Sequence, residues 1–281
     1  MSEEYDPKII EKHFDKVGLG EWDRMVKTPR DLVSLHVHTH YLREYIESGT
    51  KVLEVGPGPG RFTIELAKLG AVIGVVDLSA EQLRLNELKV KEAGFEDAVL
   101  WRKKMDITDL NEIPDNSFEA TVCYGGPLSY VFERADRALD ELLRVTSPGG
   151  YVFLSVMSSL GSWQLLIDVV IDEVERLGLE RMQKLFEDGD VVDELATNGH
   201  HCRMYRWSGL KSLLQKHSCE IVQASACAYL SNSLHTEEKL RKAMEKPEVW
   251  EAFLRWELEF CKEPGAIDGG THMIVVLKNK K

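Results

Sequence analysis

From residue 51 onward the chain alternates short apolar runs with amphipathic stretches, the pattern of βαβ units and a parallel sheet. Residues 51–55, 71–76, 98–103, 120–124 and 151–156 read as five strands, and 219–226 and 272–277 as two more. The stretches between them are spaced for helices. One follows Ser79-Ala-Glu-Gln82, a capping-box sequence, and carries Leu83, Val90 and Ala93. Another spans 133–145 and ends ahead of Pro148-Gly-Gly150. Before the first strand, Ile10, Phe14 and Val17 fall at helical spacing. A second helix is expected to start with Thr28 as N-cap, Pro29 in its first position and Asp31 two residues on.

Two segments are longer than a plain crossover needs. The first follows the 151–156 strand and opens on an apolar helix near 163–178. Gln164, Asp168, Asp172 and Glu173 interrupt it well short of the roughly 20 residues needed to span a bilayer, so it reads as a buried or lid helix. The second is a helical insert over 235–262. Inserts that follow strand ends shape a pocket or an interface. The expected organisation is a single domain over 1–281: a helical lid at 1–48, a core at 49–158, an insert at 159–200, and a return to the core at 201–281. Tyr5, Phe14 and Trp22 in the first segment either pack on the core or close over a ligand.

Charge and cysteine usage narrow the class. The 281 residues carry 47 acidic and 35 basic side chains, a net charge of −12, which argues against phosphate-backbone binding and so against a nucleic-acid partner. The five cysteines are scattered without CxxC spacing, so neither a disulfide framework nor a zinc site is expected. His36, His38 and His40 lack the glutamate of an HExxH motif, and no metal is expected there. The first residues are acidic and develop no apolar signal region, which favours a cytoplasmic location with no membrane association.

The chemistry is concentrated at the strand ends. Val52-Leu-Glu-Val-Gly-Pro-Gly-Pro-Gly-Arg-Phe-Thr63 runs from a strand through three alternate glycines into a helix. Glycines permit sharp turning and close backbone approach, and the helix start adds partial positive charge. A dinucleotide fingerprint would place its third glycine at position 61, which is Arg61; here it is Gly60. Glu54, two places before Gly56, disfavours a pyrophosphate and favours a ligand with an amino or sulfonium group. Asp77 ends the second strand 21 positions after Gly56, which sets its carboxylate at the height of a ribose bound at the loop. Asp106 and Ile107 follow the third strand, and Tyr124-Gly125 the fourth.

The order Glu54 and Gly56, Asp77, Asp106, Gly125, then a helix and Pro148-Gly-Gly150, resembles the class I S-adenosylmethionine-dependent methyltransferases over about residues 45–160. The resemblance implies an α/β, Rossmann-like seven-stranded mostly parallel sheet with helices on both faces, plus helical lid elements. It implies S-adenosylmethionine as cofactor, with Glu54, Gly56 and Gly58 at its methionine part and Gly60 completing the loop. Asp77, with Leu78 beside it, would take the ribose hydroxyls, Asp106 with Ile107 the adenine, and Tyr124 with Gly125 the methyl-donor end. No Asn/Asp-Pro-Pro-Tyr/Phe motif follows the fourth strand, which argues against adenine-N6 or glutamine methylation. The implied activity is methyl transfer to a small molecule or short peptide by in-line displacement, helped mainly by positioning. Where the acceptor must lose a proton, His201 and Tyr130 are the expected catalytic residues, with His200, Tyr205 and His272 as further candidates. A nicotinamide-dependent oxidoreductase and a non-catalytic S-adenosylmethionine-binding protein are the competing readings.

Overall fold

The computed structural model describes residues 5–192, 200–233 and 236–281. Helices α1 (Pro7–Val17), α2 (Gly20–Asp23) and α3 (Pro29–Tyr45) precede β1 (Lys51–Val55). Then come α4 (Arg61–Lys68), β2 (Val72–Asp77), α5 (Ala80–Glu92), β3 (Val99–Lys104), β4 (Phe118–Cys123), α6 (Ala135–Val145) and β5 (Thr146–Met157). An insert adds α7 (Ser159–Leu165), α8 (Ile167–Leu177), α9 (Leu179–Asp188) and a two-stranded ribbon of β6 (Asp190–Val191) and β7 (Cys202–Arg203). The chain ends with α10 (Trp207–Leu214), β8 (Cys219–Ala226), α11 (Glu237–Met244), α12 (Pro247–Cys261) and β9 (His272–Asn279).

Seven strands form one sheet in the order β3–β2–β1–β4–β5–β9–β8. Pairing is parallel from β3 across to β5, and β9 runs antiparallel to both β5 and β8. Strand alternation divides the apolar residues between two cores. Leu53 and Val55 join Leu142, Leu210 and Leu277 on one face. Val52 joins Val37 and Tyr41 of α3, Leu66 of α4 and Ile274 on the other. The chain leaves β1 toward β2 and leaves β4 toward β5, so the strand order reverses between β1 and β4, where open α/β sheets form their ligand crevice.

Several elements depart from the pattern-based expectation for local reasons. The Pro148-Gly-Gly150 turn lies inside β5, where the pairing with β4 shifts register as a bulge. The apolar stretch near 163–178 is two helices. Backbone bonds from Ser158 to Thr271 and from Gly161 to Asp268 anchor α7, whereas Val170 of α8 packs with Met182 and Leu185 of α9. α8 is not a buried helix: Ile167, Val169 and Ile171 are each at least half exposed. The 235–262 insert also breaks in two, because Pro247 starts α12 and holds Lys246 in an extended conformation. A single extra turn, α2, stands between the two helices expected ahead of β1.

Candidate active site

The crevice between β1 and β4 opens into a cavity lined by the loops after both strands. Its floor is the glycine loop after β1. Gly56 has φ 68°, and a Cβ there would stand 2.5 Å from Pro127 Cγ, so only glycine lets the loop after β4 close against the loop after β1. The roof comes from the first helices: Tyr5, Ile10 and Phe14 beside or within α1, then Glu21, Arg24 and Met25. Thus Tyr5 and Phe14 face the cavity. Trp22 instead packs outside it against the Arg61 guanidinium, 4.0 Å from the ring centroid.

The roof is fastened to the segments that follow β2 and β3. Tyr5 Oη donates to Asp106 Oδ2 at 2.9 Å, Ser79 Oγ donates to Asp15, and Gln82 Nε2 donates to the carbonyls of Phe14 and Gly18. The capping box is therefore half made. Ser79 Oγ accepts from the Gln82 backbone N–H, while the Gln82 side chain holds the roof instead of turning back to Ser79.

Gly56, Gly58, Asp77 and Leu78 line one end of the cavity, with Ile107 beyond them, and Tyr124, Gly125 and Tyr130 line the other. Asp77 is 9% exposed; it accepts from the backbone N–H of Ser79 at 2.9 Å and of Gly58 at 3.2 Å, and burial still pushes its pKa up to about 6. Four of the expected residues lie off the cavity wall. Glu54 alternates onto the Val52 face of β1, where its carboxylate accepts from Thr63 Oγ1 at 2.6 Å, and Thr63 in turn accepts from Asn86. Burial pushes the Glu54 pKa up to about 8, so it braces the loop from beneath largely as the neutral acid. Gly60 starts α4 from behind the loop. The Asp106 carboxylate is already taken by Tyr5 and by the backbone and hydroxyl of Thr108.

His201 is the fourth. The structure places its neighbour His200 against Tyr130, with Tyr130 Oη 2.9 Å from His200 Nε2 and the His200 ring stacked on His13 at 5.0 Å. Asn198 and Gly199, which precede them in the motif, lie outside the described residues. Burial lowers the His200 pKa to about 4, leaving a neutral imidazole. Tyr205 sits in the main core, and His272 lies beside Gly126 with its Nε2 buried and without a hydrogen-bond partner among the described residues.

Sequence reasoning missed Arg24 and its partner Glu21. Glu21 lies within the four-residue helix α2 and Arg24 caps its end, a segment with no apolar periodicity; their three-residue spacing is the one signal available. Glu21 Oε2 accepts from Arg24 Nε at 2.8 Å. Burial opposes the guanidinium charge, but Glu21 and Tyr130 outweigh it and leave the Arg24 pKa above its ordinary value. Among the described residues no cluster could hold a metal ion, and no helix is long and apolar enough to cross a membrane.

Comparison with known proteins agrees with this geometry. A family profile described as a methyltransferase domain matches residues 52–150. A malonyl-[acyl-carrier protein] O-methyltransferase of Erwinia billingiae is 32% identical, the match spanning 58% of this chain and 70% of that protein. The chain belongs to the class I S-adenosylmethionine-dependent methyltransferases. A ubiquinone biosynthesis O-methyltransferase of Paracidovorax citrulli is 27% identical over 63% of this chain and 79% of its own length. The magnesium protoporphyrin IX methyltransferase of Synechocystis, solved with S-adenosylhomocysteine, shares the fold at a TM-score of 0.61 and 14% identity, covering 98% of this chain and all of that one.

For a methyltransferase the donor set is suitable. The glycine loop is a cradle that a Cβ at Gly56 would fill, and Asp77 keeps acceptor capacity beyond the backbone bonds it takes from Gly58, Leu78 and Ser79. Met105 and Ile107 supply apolar wall where a base would stack. S-adenosylmethionine is the cofactor these features fit, and the nicotinamide reading has no support.

Proposed function

We propose that this methyltransferase methylates a hydroxyl oxygen of a small molecule seated against Tyr130. The observation that carries the reading is the Tyr130–His200 contact at the end of the cavity away from Asp77. When bound, S-adenosylmethionine supplies an electrophilic methyl group on a sulfonium. Asp77 accepts from the ribose hydroxyls, the Gly56–Gly58 backbone holds the methionyl end, and Met105 and Ile107 pack the adenine. Phe14 and Met25 of the roof exclude water. The acceptor hydroxyl gives its proton to Tyr130 Oη as the Tyr130 proton passes to Nε2 of His200, the neutral imidazole within hydrogen-bond distance of it. The two curated relatives are both named O-methyltransferases, which supports oxygen as the acceptor atom.

The cavity continues past Tyr124 and Gly125 to Tyr130, leaving acceptor space, which counts against a non-catalytic binding protein. Incubation with labelled S-adenosylmethionine and a metabolite extract should yield a product heavier by one methyl group on oxygen. Tyr130→Phe should then lower the single-turnover rate of methyl transfer to that acceptor by about 10²-fold or more with S-adenosylhomocysteine affinity retained. An undiminished single-turnover rate in this variant would remove Tyr130 from the proton path.

A further inference from the structure

Arg24 presents the geometry of a carboxylate receptor to the cavity. Its side chain lines the cavity, with 38% of its surface accessible. Nε is engaged by one oxygen of Glu21, and Nη1 and Nη2 have no hydrogen-bond partner among the described residues. A Cβ on Gly125 would stand 2.9 Å from Nη2, so the glycine at the end of β4 is what admits the guanidinium. An enclosed guanidinium with two unused terminal nitrogens matches a carboxylate, which it can hold through two parallel N–H bonds.

The surroundings separate this point from the cofactor loop. Arg24 is close enough for its charge to act on Tyr130, His38, His200 and His272. Asp77 answers instead to Ser79, Gly58 and Asp15. Arg24 and the proposed proton acceptor thus share one subsite. Phe14 meets Tyr130 edge to face at 5.2 Å, giving that subsite an aromatic wall.

We propose that the acceptor is a small hydroxy acid, its carboxylate held by Nη1 and Nη2 of Arg24 and its hydroxyl presented to Tyr130. This deepens the methyltransferase reading and rests on it. The chain's net charge of −12 would repel an anion at long range, but salt screens charges beyond about 8 Å, and inside the cavity the local guanidinium decides.

The test uses the full chain saturated with S-adenosylhomocysteine, and titrates the isomeric hydroxybenzoates and the matching hydroxybenzamides by calorimetry. At least one acid should bind about tenfold tighter than its amide. Arg24→Gln should erase that preference while S-adenosylhomocysteine affinity stays within about twofold of wild type, and Arg24→Lys, which keeps the charge but not the fork, should restore part of it. Absence of any acid-over-amide preference in the loaded wild type overturns the proposal and leaves the methyltransferase reading standing. So does an Arg24→Gln variant that loses affinity for S-adenosylhomocysteine but not for methylthioadenosine, which has no carboxylate; Arg24 would then serve the cofactor. Failure of S-adenosylhomocysteine to bind the wild type defeats both readings.

Discussion

Asp77 and Glu54 are buried carboxyls whose pKa values burial raises to about 6 and about 8, and the two consequences are measured differently. Hydroxyl donors favour the ionised form of Asp77, so the affinity for S-adenosylhomocysteine should be flat above pH 7 and fall as pH drops below about 6, by up to about tenfold per unit. Calorimetry from pH 8 to pH 5 checks this; an affinity independent of pH would take Asp77 away from the ribose. Glu54 acts on the unliganded fold. Its folded pKa lies above its unfolded value, so its contribution to stability is complete below about 4.5 and is lost progressively as pH rises to about 8. Glu54→Gln should therefore gain stability over wild type between those limits, with the full difference above pH 8. Urea denaturation at pH 5 and pH 9 would expose the opposite case, a variant equally weakened at both, in which bond geometry to Thr63 matters more than charge.

At the scale of elements, α1 is a roof pinned at its start by Tyr5 and along its length by Asp15 and the Phe14 carbonyl. Tyr5→Phe removes a bond to a carboxylate and should speed S-adenosylhomocysteine release about tenfold, read by stopped-flow fluorescence with Trp22 as reporter. An unchanged release rate would mean that α1 does not gate exchange. The strands and the glycine loop were legible in the sequence because period-two apolar runs and turn glycines are local signals. Thr28 and Asp31 marked the start of α3 for the same reason, and the structure completes their capping box. Arg24 was not legible, since its meaning depends on Gly125 a hundred residues away, and neither was the choice between His200 and His201, which rests on the distant contact with Tyr130. Pro247 was a local signal for the break before α12 that the apolar pattern masked.

For the whole molecule, the cofactor cavity lies where the two halves of the sheet diverge and is capped by helices that precede both. Ligand binding there should stabilise the entire fold. At a concentration of S-adenosylhomocysteine about 100 times its Kd the gain is roughly 2.7 kcal/mol, and at about 2 °C or more per kcal/mol the melting temperature should rise by at least about 5 °C. Asp77→Ala should lose most of that rise with its unliganded melting temperature unlowered; an equal rise in the variant would place the ligand elsewhere. The bonds from α1 also bear on timing. They tie the roof to the loops after β2 and β3 together, so spent cofactor cannot leave by loosening one contact, and several must break in the same opening. Turnover then keeps the pace of the roof, and acceptors of very different intrinsic reactivity should be consumed at nearly the same maximal rate.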